Sequence, residues 1–329
     1  MLCRVADSLF WMSRYMERAE NTVRLVDVTL QTLLEAESQD PDSSYYHWSA
    51  ILASLGDLEL FENLKLPKTS QSITEFLSFS RDNPSSVFNC IAQARENARM
   101  IRDQISSEMW ETINRLYLYL KKTDPQKICS EINFEFFETI KQSSLLFQGI
   151  TETTFPHKLG YEFISCGLYI ERADKTCRIL DTKRYMPSPE DEEQAAIGAA
   201  QWSAILKGCS AYDAYHQEFV DEVRGPSVRS FLMLSREFPR SVLYCLRRLQ
   251  GAIHAISGCP ITHFQNEAER RLGMLISRLN YANAADLERS SAKRLLSDIE
   301  DELGVIAVEL SQLYMFSEII DPALEVVES

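Results

Sequence analysis

Apolar residues near the N-terminus recur in alternating steps of three and four. Leu9, Met12, Met16, Ala19, Val23, Val26, Leu30 and Leu33 keep to one side of a helix, the spacing of a helix packed in a bundle. Ser38-Gln39-Asp40-Pro41-Asp42-Ser43-Ser44 interrupts the pattern. A second helix carries Trp48-Ser49-Ala50-Ile51-Leu52, and a short one covers about 73–79. Asn83 and Pro84 then read as the cap and first turn of a long helix, with Val87, Ile91, Ala94, Ala98, Ile101 and Ile105 as its seam. The pattern predicts that this helix continues past Trp110 towards Leu120, and that another covers 125–147. Residues 266–320 give two more long amphipathic helices. No segment of useful length alternates with the period of a strand. The predicted fold class is all-α, a multi-helix bundle of about ten helices.

The pattern occurs twice. Tyr15-Met16-Glu17-Arg18-Ala19-Glu20-Asn21-Thr22-Val23-Arg24-Leu25-Val26-Asp27 returns 154 residues later as Tyr169-Ile170-Glu171-Arg172-Ala173-Asp174-Lys175-Thr176-Cys177-Arg178-Ile179-Leu180-Asp181, with seven of thirteen positions identical. The same offset brings Trp202-Ser203-Ala204-Ile205-Leu206 onto the second helix, and a short helix at about 227–234 onto the third. One residue further on, Ser235-Arg236-Glu237-Phe238-Pro239-Arg240-Ser241-Val242 matches Ser80-Arg81-Asp82-Asn83-Pro84-Ser85-Ser86-Val87, and Cys245 matches Cys90. We read the chain as two pseudo-symmetric helical units, 1–150 and 155–320, packed as one body, with the junction at 149–156. The break inside the second unit is Met186-Pro187-Ser188-Pro189-Glu190-Asp191-Glu192-Glu193, whose acidic run precedes a helix and meets its positive end.

Net charge is −14, which argues against a nucleic-acid groove or an anionic-membrane surface, since both need a basic face. No apolar run approaches a membrane span, and the N-terminus enters an amphipathic helix without a signal-peptide core. The expected location is cytoplasmic. None of the eight cysteines forms a Cys-x-x-Cys pair. Cys90, Cys166, Cys177 and Cys245 fall within apolar helical patterns, where cysteine acts as a small hydrophobe.

The repeated Glu-Arg pair carries the candidate chemistry. Arg18 interrupts an apolar stripe between Trp11 and Leu25, and Arg172 lies between Ser165 and Ile179 on the equivalent face. A partly buried guanidinium needs an anion or several carbonyl acceptors. Glu17 and Glu171 point about 100° away from their own arginines and are placed to meet another helix. If the units pack about a pseudo-twofold axis, Glu17 can pair with Arg172 and Glu171 with Arg18, which would set register more than add stability. Alternatively, Arg14, Glu17, Arg18 and Asn21 hold an anionic ligand. Arg95, Arg99 and Arg102 would add to such a site, because their counterparts are Gln250, His254 and Ser257 and that of Arg14 is Leu168. A solvated helix face is the third reading, and for Arg95, Arg99 and Arg102 the alternative is a solvated stripe helped by Glu96 and Asp103; Arg24 pairs locally with Glu20 or Asp27.

Catalytic and metal motifs do not emerge. Asp213-Ala214-Tyr215-His216, with Glu218 nearby, is a single acidic-x-x-His, whereas bundle metal sites repeat the motif. Phosphate loop, dinucleotide fingerprint and nucleophile elbow are all missing from the sequence. Cys259 and His263 are the nearest cysteine–histidine pair, and Cys259-Pro260 reads as a turn. Neither metal nor cofactor is expected.

Leu2-Cys3-Arg4-Val5-Ala6-Asp7-Ser8-Leu9-Phe10-Trp11-Met12-Ser13-Arg14-Tyr15-Met16-Glu17-Arg18-Ala19-Glu20-Asn21-Thr22 closely resembles the opening of the bacterial alpha-E proteins, predicted helical proteins named for a Glu-Arg motif. Asn83-Pro84-Ser85-Ser86-Val87, the 94–102 segment, Trp110-Glu111-Thr112-Ile113-Asn114 and Tyr169-Ile170-Glu171-Arg172-Ala173 also resemble that family. The likeness spans nearly the whole chain, with Cys3 in place of an expected serine. It implies partners rather than chemistry. Alpha-E proteins are encoded beside a circularly permuted ATP-grasp protein and a transglutaminase-like cysteine peptidase, a set resembling a peptide or amide ligation and processing system. The expected role is a non-catalytic helical partner or scaffold of that system. The alternative is an enzyme or ligand-binding subunit holding an anionic peptide or acyl-phosphate in an arginine-lined pocket of the first unit.

Overall fold

The N-terminal seam folds as helix α1, Cys3–Glu35, with Met12, Met16, Val23 and Val26 almost wholly out of solvent. In the computed structural model, residues 1–35, 41–131, 133–182, 192–220 and 222–315 are described. They hold α2 (Pro41–Leu55), α3 (Leu58–Asn63), α4 (Ser70–Ser78), α5 (Val87–Met100), α6 (Ser107–Lys122), α7 (Pro125–Glu131) and α8 (Phe134–Thr154). After these come α9 (Leu159–Asp181), α10 (Glu192–Gly208), α11 (Tyr212–Glu218), α12 (Gly225–Leu234), α13 (Val242–Ser257), α14 (Glu267–Asn280) and α15 (Arg289–Tyr314). No strand occurs among the described residues, and the fold is all-α. Of the predicted breaks at 38–44 and 186–193, residues 38–40 and 186–191 lie outside the described residues, while 41–44 and 192–193 are helical and open α2 and α10.

Among the described residues fifteen α-helices stand where about ten were expected, because several continuous patterns are divided by local capping. The helix expected to start at Asn83 starts at Val87. Ser86 Oγ accepts the backbone N–H of Asn89 at 3.3 Å, so serine is the N-cap. Asn83 instead accepts from Ser85 N–H at 2.8 Å and donates to Asp57 at 3.2 Å. The same helix does not run on to Leu120. It stops at Met100, and Ser106 caps a separate α6 by accepting from Met109 N–H at 3.2 Å. Asn133 likewise caps α8 through Phe136 N–H at 3.0 Å. Helix α8 then passes through Gly149 to Thr154, so most of the 149–156 stretch is helical and the turn into α9 is confined to Phe155–Lys158.

Helices α1 and α9 form the centre. Each packs along the other, α1 also against α5 and α8, and α9 also against α13 and α15. They run in the same direction, since the Phe10 carbonyl meets Gly167 while Arg14 and Arg18 meet Glu171. Cys90, Cys166, Cys177 and Cys245 are buried and unpaired, and burial pushes the Cys90 and Cys245 thiols up to about 12. No helix among the described residues is long and apolar enough to cross a membrane.

Candidate functional site at the crossing of α1 and α9

The Glu-Arg pairs meet across the central helices. Glu17, wholly buried, accepts from Arg172 Nε and Nη2, both at 3.0 Å. It also accepts from Arg240 Nη1 at 2.7 Å, Gln148 Nε2 at 3.0 Å and Asn21 Nδ2 at 3.2 Å. Arg240 is bidentate between two acids: its Nη2 donates to Glu20 at 2.8 Å. Arg24 bonds Glu20 from the next turn. Glu171, equally buried, accepts from Arg18 Nε at 2.6 Å and Nη2 at 2.9 Å and from Arg14 Nε at 2.8 Å.

The helical register explains the exchange of partners. Glu and Arg adjacent in sequence project about 100° apart, so neither can serve its own neighbour, and each reaches its opposite number on the parallel helix. Burial would push both carboxyls up. The Arg172 and Arg240 guanidiniums override it and hold Glu17 at about 2. Against the same burial, Arg18 and then Arg14 hold Glu171 well below the carboxylate range.

A cavity flanks each ion-pair cluster, reaching the carboxylate itself at Glu17 and the Arg14 and Arg18 partners at Glu171. That beside Glu17 has a volume of about 460 Å3 and is walled by Gln148, Tyr169, Arg172, Tyr244 and Arg248. That beside Glu171 has a volume of about 310 Å3 and is walled by Arg14, Arg18, Ser85, Lys175, Arg178 and Glu300. Lys175 is only 6 % exposed, yet its ammonium lies 3.9 Å from Glu171 Oε1, beyond hydrogen-bond distance. Arg178 donates to Asp174 at 2.8 Å and stands 3.7 Å from Glu300. Burial, with Asp174 and Asp181 nearby, pushes the Glu300 carboxyl up to about 7 against the pull of Arg178.

Of the residues singled out in the sequence, Arg14, Arg18, Glu171, Glu17, Asn21 and Arg172 thus gather in one ion-pair layer. The other three arginines turn elsewhere. Arg95 donates to Asn114 and Glu96, each at 2.8 Å, with its guanidinium over Tyr117 and Trp110. Arg99 is bound to Glu96 at 2.8 Å, and Arg102 lies over Trp110. None of the three lines either cavity. Arg240, Gln148 and Lys175 are the residues that sequence reasoning missed. The alignment did hold one signal for Arg240, which stands where the first half has Ser85.

A family profile described as a predicted alpha-helical domain with a conserved ER motif matches residues 1–315. The chain belongs to the Alpha-E family. Its two Glu-Arg pairs are the residues just placed between α1 and α9. Relatives include an uncharacterised protein of Mycobacterium bovis and two of Mycobacterium tuberculosis strains, each 24% identical over 322 residues. The match covers 93% of this chain and 35% of theirs, so the chain spans about a third of the length of these curated relatives. No solved structure matches it at a significant level.

Proposed function

We propose that this protein is a cytoplasmic, non-catalytic helical subunit, built from two copies of one helical unit, that docks or positions components of an ATP-grasp-dependent peptide or amide ligation and processing system. The observation that carries this reading is the saturation of Glu17, whose two carboxylate oxygens meet five side-chain donors inside the protein. A group so engaged sets helix register and has no lone pair to spare for a substrate. The greater length of the mycobacterial relatives fits a unit that works beside other domains. The partners would be a circularly permuted ATP-grasp protein and a transglutaminase-like protein. Co-expression of the tagged chain with the ATP-grasp protein of the same organism tests the reading. A stoichiometric complex on size-exclusion chromatography is expected; separate elution of the two at micromolar concentration sinks it.

A second reading, a ligand-binding subunit for an anionic peptide or acyl-phosphate, is favoured by Lys175. Its ammonium lines the 310 Å3 cavity and faces Glu171 at 3.9 Å, within ion-pair but beyond hydrogen-bond distance, and an oxyanion entering that cavity would supply a charge-assisted hydrogen bond. Ser85 and Arg14 line the same space. On this reading inorganic phosphate at a hundredfold excess over its dissociation constant raises the melting temperature by about 4 °C relative to sodium chloride of equal ionic strength. Lys175→Met abolishes the rise without lowering the ligand-free melting temperature. A rise that survives Lys175→Met, or none in the wild type, removes the pocket from consideration.

A further inference from the structure

We propose that His254, Cys259 and Glu269 form a binding site for a zinc-like divalent transition metal, independent of the central ion-pair layer. His254 lies in the last turn of α13, Cys259 in the following loop, and Glu269 in the first turn of α14. One ligand atom from each lies within 4.8 Å of the other two. Gly258, at φ 76°, lets the chain turn sharply at the end of α13 before Cys259.

Three features go beyond proximity. First, His254 Nδ1 is 2.9 Å from the Cys259 carbonyl oxygen. Donation to that carbonyl fixes the tautomer and leaves Nε2 with a free lone pair, the arrangement of a metal-ligating histidine held by an outer hydrogen bond. Second, Glu269 Oε2 accepts the backbone N–H of Gln265 at 2.7 Å, which orients the carboxylate as outer-shell bonds orient a ligand. Third, Glu269 Oε1 is buried with no hydrogen-bond partner, and the residue is 2 % exposed. The Ser257 and Cys259 side chains lie close to this carboxylate, yet Oε1 meets no donor in hydrogen-bond geometry; a buried oxygen lacking that bond is costly, and a cation beside it removes the cost.

The donor set names the metal class. One thiolate, one imidazole and one carboxylate suit zinc and its neighbours rather than magnesium or calcium, which take oxygen ligands in larger number. Three protein ligands leave a fourth tetrahedral position for water or another donor. Bound metal would tie the end of α13 to the start of α14.

Stripping the full chain with a chelator and titrating with zinc chloride tests the site. We expect one zinc per chain by calorimetry, release of the Cys259 thiol proton on binding, and a thiolate charge-transfer band when cobalt replaces zinc. Cys259→Ser and Glu269→Gln should each weaken binding more than about tenfold, an effect at or above that of losing an outer-shell partner. Cys259 is only half-buried, so its serine variant should fold. His216→Ala, in the acidic-x-x-His segment outside this site, should bind as the wild type does. Wild-type protein that takes up no zinc overturns the assignment. So does a Cys259→Ser variant that binds it equally, or loss of binding in His216→Ala.

Discussion

Glu17→Gln unfolds with about 3–5 kcal/mol less free energy than the wild type at neutral pH, the loss expected when one partner leaves a buried ion pair. The substitution keeps volume and one acceptor oxygen but removes the charge. Arg172 and Arg240, each 7 % exposed, are then left buried without the carboxylate between them. Arg240 retains Glu20 at 2.8 Å; among the described residues Arg172 has no second acid within ion-pair distance and keeps Gln148 Oε1 at 3.1 Å and the Tyr169 ring. The exposed Arg99, paired to Glu96, provides the contrast: Arg99→Ala should cost under about 0.5 kcal/mol, the usual scale of a surface pair. The pH dependence has a definite sign. Glu17 is held at about 2 from an ordinary 4.5. Its contribution is therefore present above 4.5 and is lost as pH falls through that window towards 2. The variant should lack that part of the acid limb. Urea denaturation at pH 7 and pH 3 reads both effects, and a loss below about 1 kcal/mol at pH 7 would remove the ion-pair layer as a major determinant of stability.

Gly167→Ala separates the central helices. A Cβ at this position would stand 2.2 Å from the Phe10 carbonyl oxygen and 3.3 Å from Arg14 N. Both are backbone atoms of α1, so no rotamer change relieves the clash and the helices must move apart. The bonds from Arg14 and Arg18 to Glu171 span the same crossing and would stretch with it. An alanine in a helix interior ordinarily gains up to about 1 kcal/mol over glycine. Here a net loss of about 3 kcal/mol or more is expected from overpacking against backbone. Gly251→Ala supplies the opposite sign. It lies in α13 with nothing within 4 Å of the added carbon, so it should stabilise by up to about 1 kcal/mol. Equal effects at the two positions would contradict the close approach of α1 and α9.

These two residues show where sequence reasoning reached and where it stopped. Glu17 was legible because it broke a pattern: a Glu-Arg pair sits on a helix whose neighbouring positions are apolar, and the same pair recurs 154 residues on. Gly167 was not. Its counterpart at that offset is Ser13, and a glycine in a helical stretch carries no mark of which backbone it will touch. Arg95, Arg99 and Arg102 form a basic stripe in sequence, but the fold turns Arg95 and Arg102 onto the aromatic faces of α6.

By itself the sequence determined the all-α class and the faces of its main helices. Apolar spacing and burial follow the same helical period over many residues, and that redundancy survives local error. It left open where helices start and stop, because a serine cap such as Ser86 or Ser106 depends on one side chain and one backbone N–H. Only the tertiary structure decided which charges meet. Arg240 reaches Glu17 across 223 positions of the chain, and His254, Cys259 and Glu269 converge only once α13 turns into α14. Pairings of that kind depend on the crossing of packed helices, a distance that no local periodicity encodes.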